Sequence, residues 1–367
     1  RSPLVIGSFM GVSSFFKGAI DDIRIYSRGL SDAEAQSIYT IEAPKTLVGY
    51  TAVDVNVGEN GDANAGISIN VPKGTMIQPS LKLVYNSQGG NGLQGLGWSL
   101  DGVFQSISRL PATIAQDGFS DPVDFVANDK FALNGERLMI LKNPLTIKDV
   151  YGADGAEYRT EQNSFSKIIS YGSTGKGPEK FRVWTKDGLI LDFGYNVDSR
   201  IETSGSTSEV ILWLLDRMED KKGNYLTITY EEDNTKGEFR PAQINYTGNS
   251  RTGLQPYNSV KFFYEDRPDF YSKRLSIIEA YDHAALFRKY ILSYAGNNLI
   301  SQLTTITEYG LNASAAFKST AIQWTPLPKT AGFVKSGSGM WTTPSLGHTF
   351  SGDFNADGLA DIIGHDN

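Results

Sequence analysis

The segment Ser351–Ile363 reads Ser-Gly-Asp-Phe-Asn-Ala-Asp-Gly-Leu-Ala-Asp-Ile-Ile and places oxygen-bearing side chains at alternate positions of one short loop. Asp353, Asn355 and Asp357 point into a common turn, Gly358 permits the reversal, and Asp361 returns a fourth oxygen ligand to the same centre. The Leu359 carbonyl supplies a further oxygen. A hard cation that takes six to eight oxygens suits this set, and calcium is the expected ion. Its role is structural: three carboxylates this close repel one another, and the metal ties the loop to its flanking strand. A solvated Asp/Asn turn without metal is the alternative. An apolar run at Asp361-Ile362-Ile363 predicts a strand after the loop, not a helix.

Other candidate chemistries find little support. The chain has 367 residues, no cysteine and three histidines. That excludes a disulfide framework, a thiol nucleophile, a Cys-based zinc site and a Cys-bound iron–sulfur cluster. There is no H-E-x-x-H, no G-x-S-x-G and no P-loop. His283 reads as a turn residue, and His348 and His365 flank the acidic loop. Carboxylate pairs occur at Asp21/Asp22, Asp216/Glu219 and Glu231/Glu232, in turns or at strand edges. A glycosidase needs such a pair about 5–10 Å apart across a cleft. Gly90-Asn91-Gly92-Leu93-Gln94-Gly95 matches G-x-G-x-x-G, with Asp117 further on. A dinucleotide site needs a helix opening at those glycines, whereas Gly97–Gly102 reads as strand and turn. The expectation from these residues is a chain that is not an enzyme.

The elements that position the loop are strands. Alternating apolar and polar residues recur at Leu81–Tyr85, Phe181–Thr185, Leu189–Phe193, Tyr225–Tyr230 and Val260–Tyr264, separated by Gly, Asn and Asp. Asp187-Gly188 joins two of these runs as a hairpin turn. The longest apolar run, Val210–Leu215, fits a buried strand and is far short of the ~18 residues of a membrane span. Ser31 and Glu34 form a capping box that opens a helix over Asp32–Tyr39, the one helix the pattern supports. A net charge of −7 argues against nucleic-acid or polybasic membrane binding. The chain starts at Arg1 without a signal-peptide layout and stops just after the acidic loop, which reads as a piece of a longer protein with its targeting information elsewhere.

Three resemblances organise these elements into an all-β chain. Gly18–Tyr39, a strand followed by a capped helix, resembles the closing part of LamG/concanavalin-like jelly-roll domains. Residues 1–42 are then the tail of such a domain, and 43–64, with Pro44 and Gly58–Asn64, a linker. Residues 65–330 form the central domain. Its signatures are Pro79–Ser87, Gly89–Leu100 and Ile107-Ser108-Arg109, then Asn128–Leu138, Tyr151–Glu161, Val183–Gly188, Asp220–Tyr230 and Phe263–Asp269. These resemble the SpvB/TcaC N-terminal domain family, found in the B components of Tc-type insecticidal toxins and in Rhs-repeat toxins. Asp220–Tyr230 is also similar in rhythm to Rhs/YD repeats. Residues 331–367, with the acidic loop, resemble the first FG-GAP/VCBS repeat of a calcium-binding β-propeller.

The resemblance implies an antiparallel β-rich domain of a large secreted, toxin-like protein. Its role would be part of an Rhs-type shell that encloses a toxic effector and docks to a Tc-type translocation component. Expected metal ligands are Asp353, Asn355, Asp357, Leu359 and Asp361, with Ca²⁺ as the only cofactor. The LamG and FG-GAP likenesses leave a second reading open, a cell-surface adhesion or glycan-binding protein, with glycans bound through the upstream part of the LamG fold.

Overall fold

A computed structural model describes residues 28–32, 34, 49–102, 104–126, 128–141, 150–203, 209–267, 272–296, 300–324, 346–352 and 361–366. The chain divides into two units, 1–322 and 323–367. The described residues of both are overwhelmingly antiparallel strand, as the alternation predicts.

In the first unit, eight strands close into a barrel. In ladder order they are Ser106–Leu110, Lys130–Leu133, Glu136–Ile140, Glu157–Thr160, Lys167–Tyr171, Lys180–Trp184, Ile190–Phe193 and Val210–Glu219. The last strand closes the ring because it pairs with both ends of the series. Leu212 stands opposite Ser108, while Arg217 stands opposite Asp192. A register shift between Asp192 and Phe193 lets the strand bend between these two partners. The short strand Arg200–Glu202 pairs with the beginning of the same long strand.

From Val210–Glu219 the sheet runs on as a meander. Its strands are Asn224–Asp233, Glu238–Asn249, Asn258–Asp266, Lys273–Asp282, Ala285–Gly296, Ser301–Tyr309 and the two-residue Thr320–Ala321. Each is hydrogen-bonded to the next in sequence. Alternation places Leu226, Ile228, Ile244, Tyr246, Val260, Ile278, Tyr290 and Ile306 in the core.

A four-stranded sheet, ordered Asp54–Val57, Ala63–Ile69, Leu81–Asn86 and Trp98–Asp101, supplies Ile67, Ile69, Leu81, Leu83 and Trp98 to the core. Hydrogen bonds fasten it to the meander. Tyr246 Oη donates to the Pro72 carbonyl at 2.8 Å, and Asn70 N donates to Tyr290 Oη at 2.9 Å. Buried Glu308 accepts from Thr51 Oγ1 at 3.0 Å. The stretch 43–64, read from sequence as a linker, thus contributes the strand Asp54–Val57. The alternation of Val53, Val55 and Val57 with Asp54 and Asn56 is the signal for it, and its valines are exposed.

The Asp187-Gly188 hairpin forms as expected, with Gly188 at φ +87° donating its N–H to the Thr185 carbonyl at 3.0 Å. Ser31 N donates to Glu34 Oε2 at 2.9 Å and Glu34 N to Ser31 Oγ at 3.3 Å, the reciprocal bonds of a capping box. Most of the expected helix beyond Glu34 lies outside the described residues, as does most of the LamG-like segment. A one-turn helix that the sequence reading missed spans Ile114–Asp117, capped by Thr113 and by Gly118 in the left-handed conformation. Among the described residues no helix is long and apolar enough to cross a membrane.

In the second unit, Leu346–Gly352 and Asp361–Asp366 pair as an antiparallel hairpin.

Candidate functional site

Of the expected metal ligands, Asp353, Asn355, Asp357 and Leu359 lie outside the described residues. Asp361 opens the second strand of the hairpin, opposite Gly352. The ladder therefore brings both ends of the acidic loop together, and a strand follows Asp361 as the apolar run predicts. His348 and His365 stand opposite one another in that ladder.

The G-x-G-x-x-G stretch forms a two-residue ladder, Asn91–Gly92 with Gly95–Leu96, and runs into the strand Trp98–Asp101. No helix opens there, so the pyrophosphate cradle of a dinucleotide site is not formed at these glycines. The turn is instead a docking point. Arg267 donates to the Gly92 carbonyl at 2.8 Å and to Asn91 Oδ1 at 3.0 Å, and Leu275 N donates to the Leu93 carbonyl at 2.8 Å.

Strand alternation separates the carboxylate pairs seen in the sequence. Glu231 turns outward to Arg240 at 2.9 Å, while Glu232 turns inward and meets Glu202 from another strand. Asp216 is buried and accepts from Tyr195 N at 2.6 Å, Asn196 N at 2.9 Å and Ser199 Oγ at 2.9 Å, whereas Glu219 pairs with Arg217 at 2.7 Å. Burial outweighs those three donors and raises the Asp216 carboxyl to about 6. Asp21 and Asp22 lie outside the described residues. His283 sits in a turn at φ +54°, stacked on Tyr257 and 2.8 Å from Asp282.

The most developed site in the described residues lies inside the barrel. Arg109 follows Ile107 on the inward face of its strand, a position whose neighbours are apolar. Its Nη1 donates to Asp129 Oδ2 at 2.8 Å, and both side chains are 1% exposed. Its Nε donates to the Val210 carbonyl at 2.7 Å. Burial pulls the guanidinium pKa below its ordinary value, and the hydrogen bond and charge of Asp129 offset part of that. Asp129 also accepts from Asp124 N at 3.2 Å and Phe125 N at 3.1 Å. Phe125, at φ +62°, is a bulky residue in the left-handed region, and Asp129 holds it there.

Aromatic rings enclose this pair. The guanidinium carbon lies 5.2 Å from the Phe125 ring centre, 5.7 Å from Phe131 and 5.6 Å from Trp213. Phe131, Phe181 and Trp213 meet edge to face at 5.0–5.5 Å, each such contact contributing about 0.5–1.5 kcal/mol beyond burial. Above them opens a cleft of about 280 Å³ walled by Val126, Phe131, Tyr151 and the glycine-rich turn Gly175–Gly177, with Asp129 at its floor. A Cβ on Gly177 would collide with Arg109 Nη2. The sequence names Arg109 and Asp129 only as members of separate motifs. The one signal for the pair is an arginine on the apolar phase of a strand.

The family model described as Salmonella virulence plasmid 65kDa B protein matches residues 57–268, more than half of the chain. Mono(ADP-ribosyl)transferase SpvB of Salmonella typhimurium is 22% identical over 219 residues, covering 56% of this chain and 35% of that protein. The same protein of Salmonella choleraesuis matches equally. The chain thus spans about a third of these relatives. Their name, mono(ADP-ribosyl)transferase, corrects the expectation of a chain that is not an enzyme.

Among solved structures, the N-terminal domain of effector SpvB from Salmonella typhimurium aligns with TM-score 0.53 and 17% identity, covering 66% of this chain and 98% of that one. TcdB2-TccC3 aligns with TM-score 0.55 and 17% identity, covering 71% and 16%. The Photorhabdus luminescens Tc holotoxin pore aligns with TM-score 0.56 and 16% identity, covering 71% and 15%. These likenesses establish the fold: a barrel and meander shared with a virulence effector and with Tc toxin components. With more than half its length matched by the family model, the chain belongs to the family of the Salmonella virulence plasmid 65kDa B protein.

Proposed function

We propose that this chain is a wall segment of a large toxin-related protein, leading into an Rhs-type shell that encloses and helps deliver an effector. The observation that carries the reading is the strand Val210–Glu219, which closes the barrel and also starts the meander. A meander grows by adding strands at its edge, so the same pairing rule extends a wall from a closed anchor. The fold shared with TcdB2-TccC3 supports a Tc-type translocation component as partner. The name of the curated relatives supports a larger protein that couples this wall to an ADP-ribosyl-transferring enzyme. Export of that larger protein follows from the same reading.

Calcium at the acidic loop belongs to the proposal. Asp353, Asn355, Asp357 and Asp361 would hold it with their side chains and Leu359 with its carbonyl. The ion would supply positive charge between the carboxylates of the loop that joins the strands Leu346–Gly352 and Asp361–Asp366.

The test is protease protection of the full-length protein. An enclosed effector region resists digestion in the intact particle and is cut once the shell is opened by denaturant. Digestion of that region at the rate of the isolated region overturns the enclosure reading.

A further inference from the structure

The cleft above the Arg109–Asp129 pair has two walls of different chemistry. One is apolar and is formed by Val126, Val150, Phe131 and Tyr151, with the Phe131 and Tyr151 rings stacked at 5.3 Å and 15°. The Tyr151 hydroxyl is already used: it accepts from Phe131 N at 2.8 Å and donates to the Leu138 carbonyl at 3.0 Å. The other wall comes from the turn between the strands Lys167–Tyr171 and Lys180–Trp184, which brings Ser173, Gly175, Lys176 and Gly177 to the cleft. Thr174 N donates to the Gly177 carbonyl at 3.0 Å and Gly177 N to the Thr174 carbonyl at 3.2 Å, which closes the turn. Among the described residues, the Gly175 and Lys176 amides, the Ser173 hydroxyl and the Lys176 ammonium have no partner. A wall of unpaired donors facing an apolar wall suits a ligand with acceptors at one end and an apolar body at the other.

The charges around the turn favour an anion at the donor end. Arg109 lies beneath it, with Nη2 3.5 Å from the Lys176 carbonyl. Asp129 is occupied by Arg109 Nη1 and by the Asp124 and Phe125 amides, so the floor of the cleft carries a neutralised pair. Asp154, at the shoulder of the turn, accepts from Gly172 N at 2.9 Å, and Glu179 pairs with Arg200 at 3.0 Å. Of the residues that line the cleft, Lys176 is the one whose charge has no counterpart among the described residues.

We propose that this cleft binds a small organic phosphate, with its apolar body against Val126, Phe131 and Tyr151 and its phosphoryl oxygens on the turn at Ser173–Lys176. The donors choose the head group. A phosphate monoester offers three strong acceptor oxygens and nearly two negative charges, which match a hydroxyl, two amides and an ammonium better than the two oxygens of a carboxylate. The space chooses the body: a cleft of about 280 Å³ is near the lower limit for small-molecule sites and has room for a single ring or a short chain. A strand follows this turn, not a helix, so the site rests on these donors without a helix terminus behind them.

Ligand-observed saturation-transfer NMR on the full chain, with phenyl phosphate as the probe, tests the site. Phenyl phosphate is expected to bind at least tenfold tighter than inorganic phosphate, which lacks the body, and than benzyl alcohol, which lacks the head, both measured by competition. Phenylacetate, with a carboxylate head, is expected to bind more weakly than phenyl phosphate. Lys176→Gln, at an exposed position, is expected to weaken phenyl phosphate about tenfold through the loss of one charge-assisted hydrogen bond. Val126→Trp, which fills the cleft, is expected to abolish binding. Absence of transfer to phenyl phosphate at millimolar concentration overturns the proposal. Inorganic phosphate that binds as tightly as phenyl phosphate overturns the role of the apolar wall, and an unchanged affinity in K176Q or tighter binding of phenylacetate overturns the head group. If V126W does not fold, K176Q and the competition series decide without it.

Discussion

Arg109 and Asp129 form an ion pair 2.8 Å long in which each side chain is 1% exposed, enclosed by the aromatic lining of the barrel. The Asp129 carboxylate is also the acceptor for two backbone amides, so it fixes a loop as well as a charge. Removing one partner of such a pair leaves an uncompensated buried charge. Asp129→Asn is expected to destabilise the protein by about 3–5 kcal/mol, measured by denaturant unfolding. The double variant Arg109→Met/Asp129→Leu is expected to recover only part of this loss, since the Asp124 and Phe125 amides lose their acceptor. Full recovery would show that the loop does not depend on Asp129.

Gly97, in the glycine-rich turn, leaves no room for a side chain. At φ +72°, a Cβ there would sit 2.5 Å from the Tyr85 ring and 2.7 Å from the Asn86 carbonyl oxygen. Gly97→Ala is expected to cost about 2 kcal/mol or more, from left-handed strain and overpacking together. Gly90→Ala, which meets nothing within 4 Å, serves as the control and stays within about 0.5 kcal/mol of wild type. Equal melting temperatures for the two variants would contradict the packing described for this turn.

Asp216 makes stability depend on pH in a defined direction. Its carboxyl is raised by burial to about 6, against an ordinary 3.8. The folded state holds the proton between those values and the unfolded chain does not, so stability from this group is full below about 4 and declines as pH rises to about 6. Asp216→Asn is expected to lack that decline, so the difference in unfolding free energy between wild type and variant changes between about pH 4 and 6. A difference that stays constant from pH 4 to about 7 contradicts the assignment.

Calcium binding is checked in the full-length protein by thermal unfolding with and without added calcium. The ion is expected to raise the transition of the C-terminal unit, and Asp357→Ala to abolish the rise. An unchanged calcium response in the variant removes Asp357 from the ligand set.

The sequence shows the strands better than their partners. Asp187-Gly188 marks its hairpin because the turn chemistry is local, and Val210–Leu215 reads as buried because an apolar run needs no context. Barrel closure is not written in any window. It depends on Val210–Glu219 meeting Ser106–Leu110 and Ile190–Phe193 at once, with a register shift at Asp192/Phe193. The same limit hides the candidate sites. Arg109 and Asp129 stand in separate motifs, and Glu231 and Glu232 look like one surface pair until alternation sends them to opposite faces. The strand Asp54–Val57 is short, and its valine alternation sits beside the Gly/Asn/Asp-rich stretch Gly58–Asn64 that reads as linker.

The barrel seam also sets an order of events during synthesis. Arg109 and its acceptor at Val210 are 101 positions apart. At roughly 5–20 residues per second on the ribosome, the strand Ser106–Leu110 waits on the order of 5–20 s with one edge unpaired, and its buried arginine waits equally long for that carbonyl. Nascent chains of this protein therefore present an open sheet edge to the cell before the ring can shut, and holding that edge apart from other chains is a task for the folding machinery rather than for the finished fold.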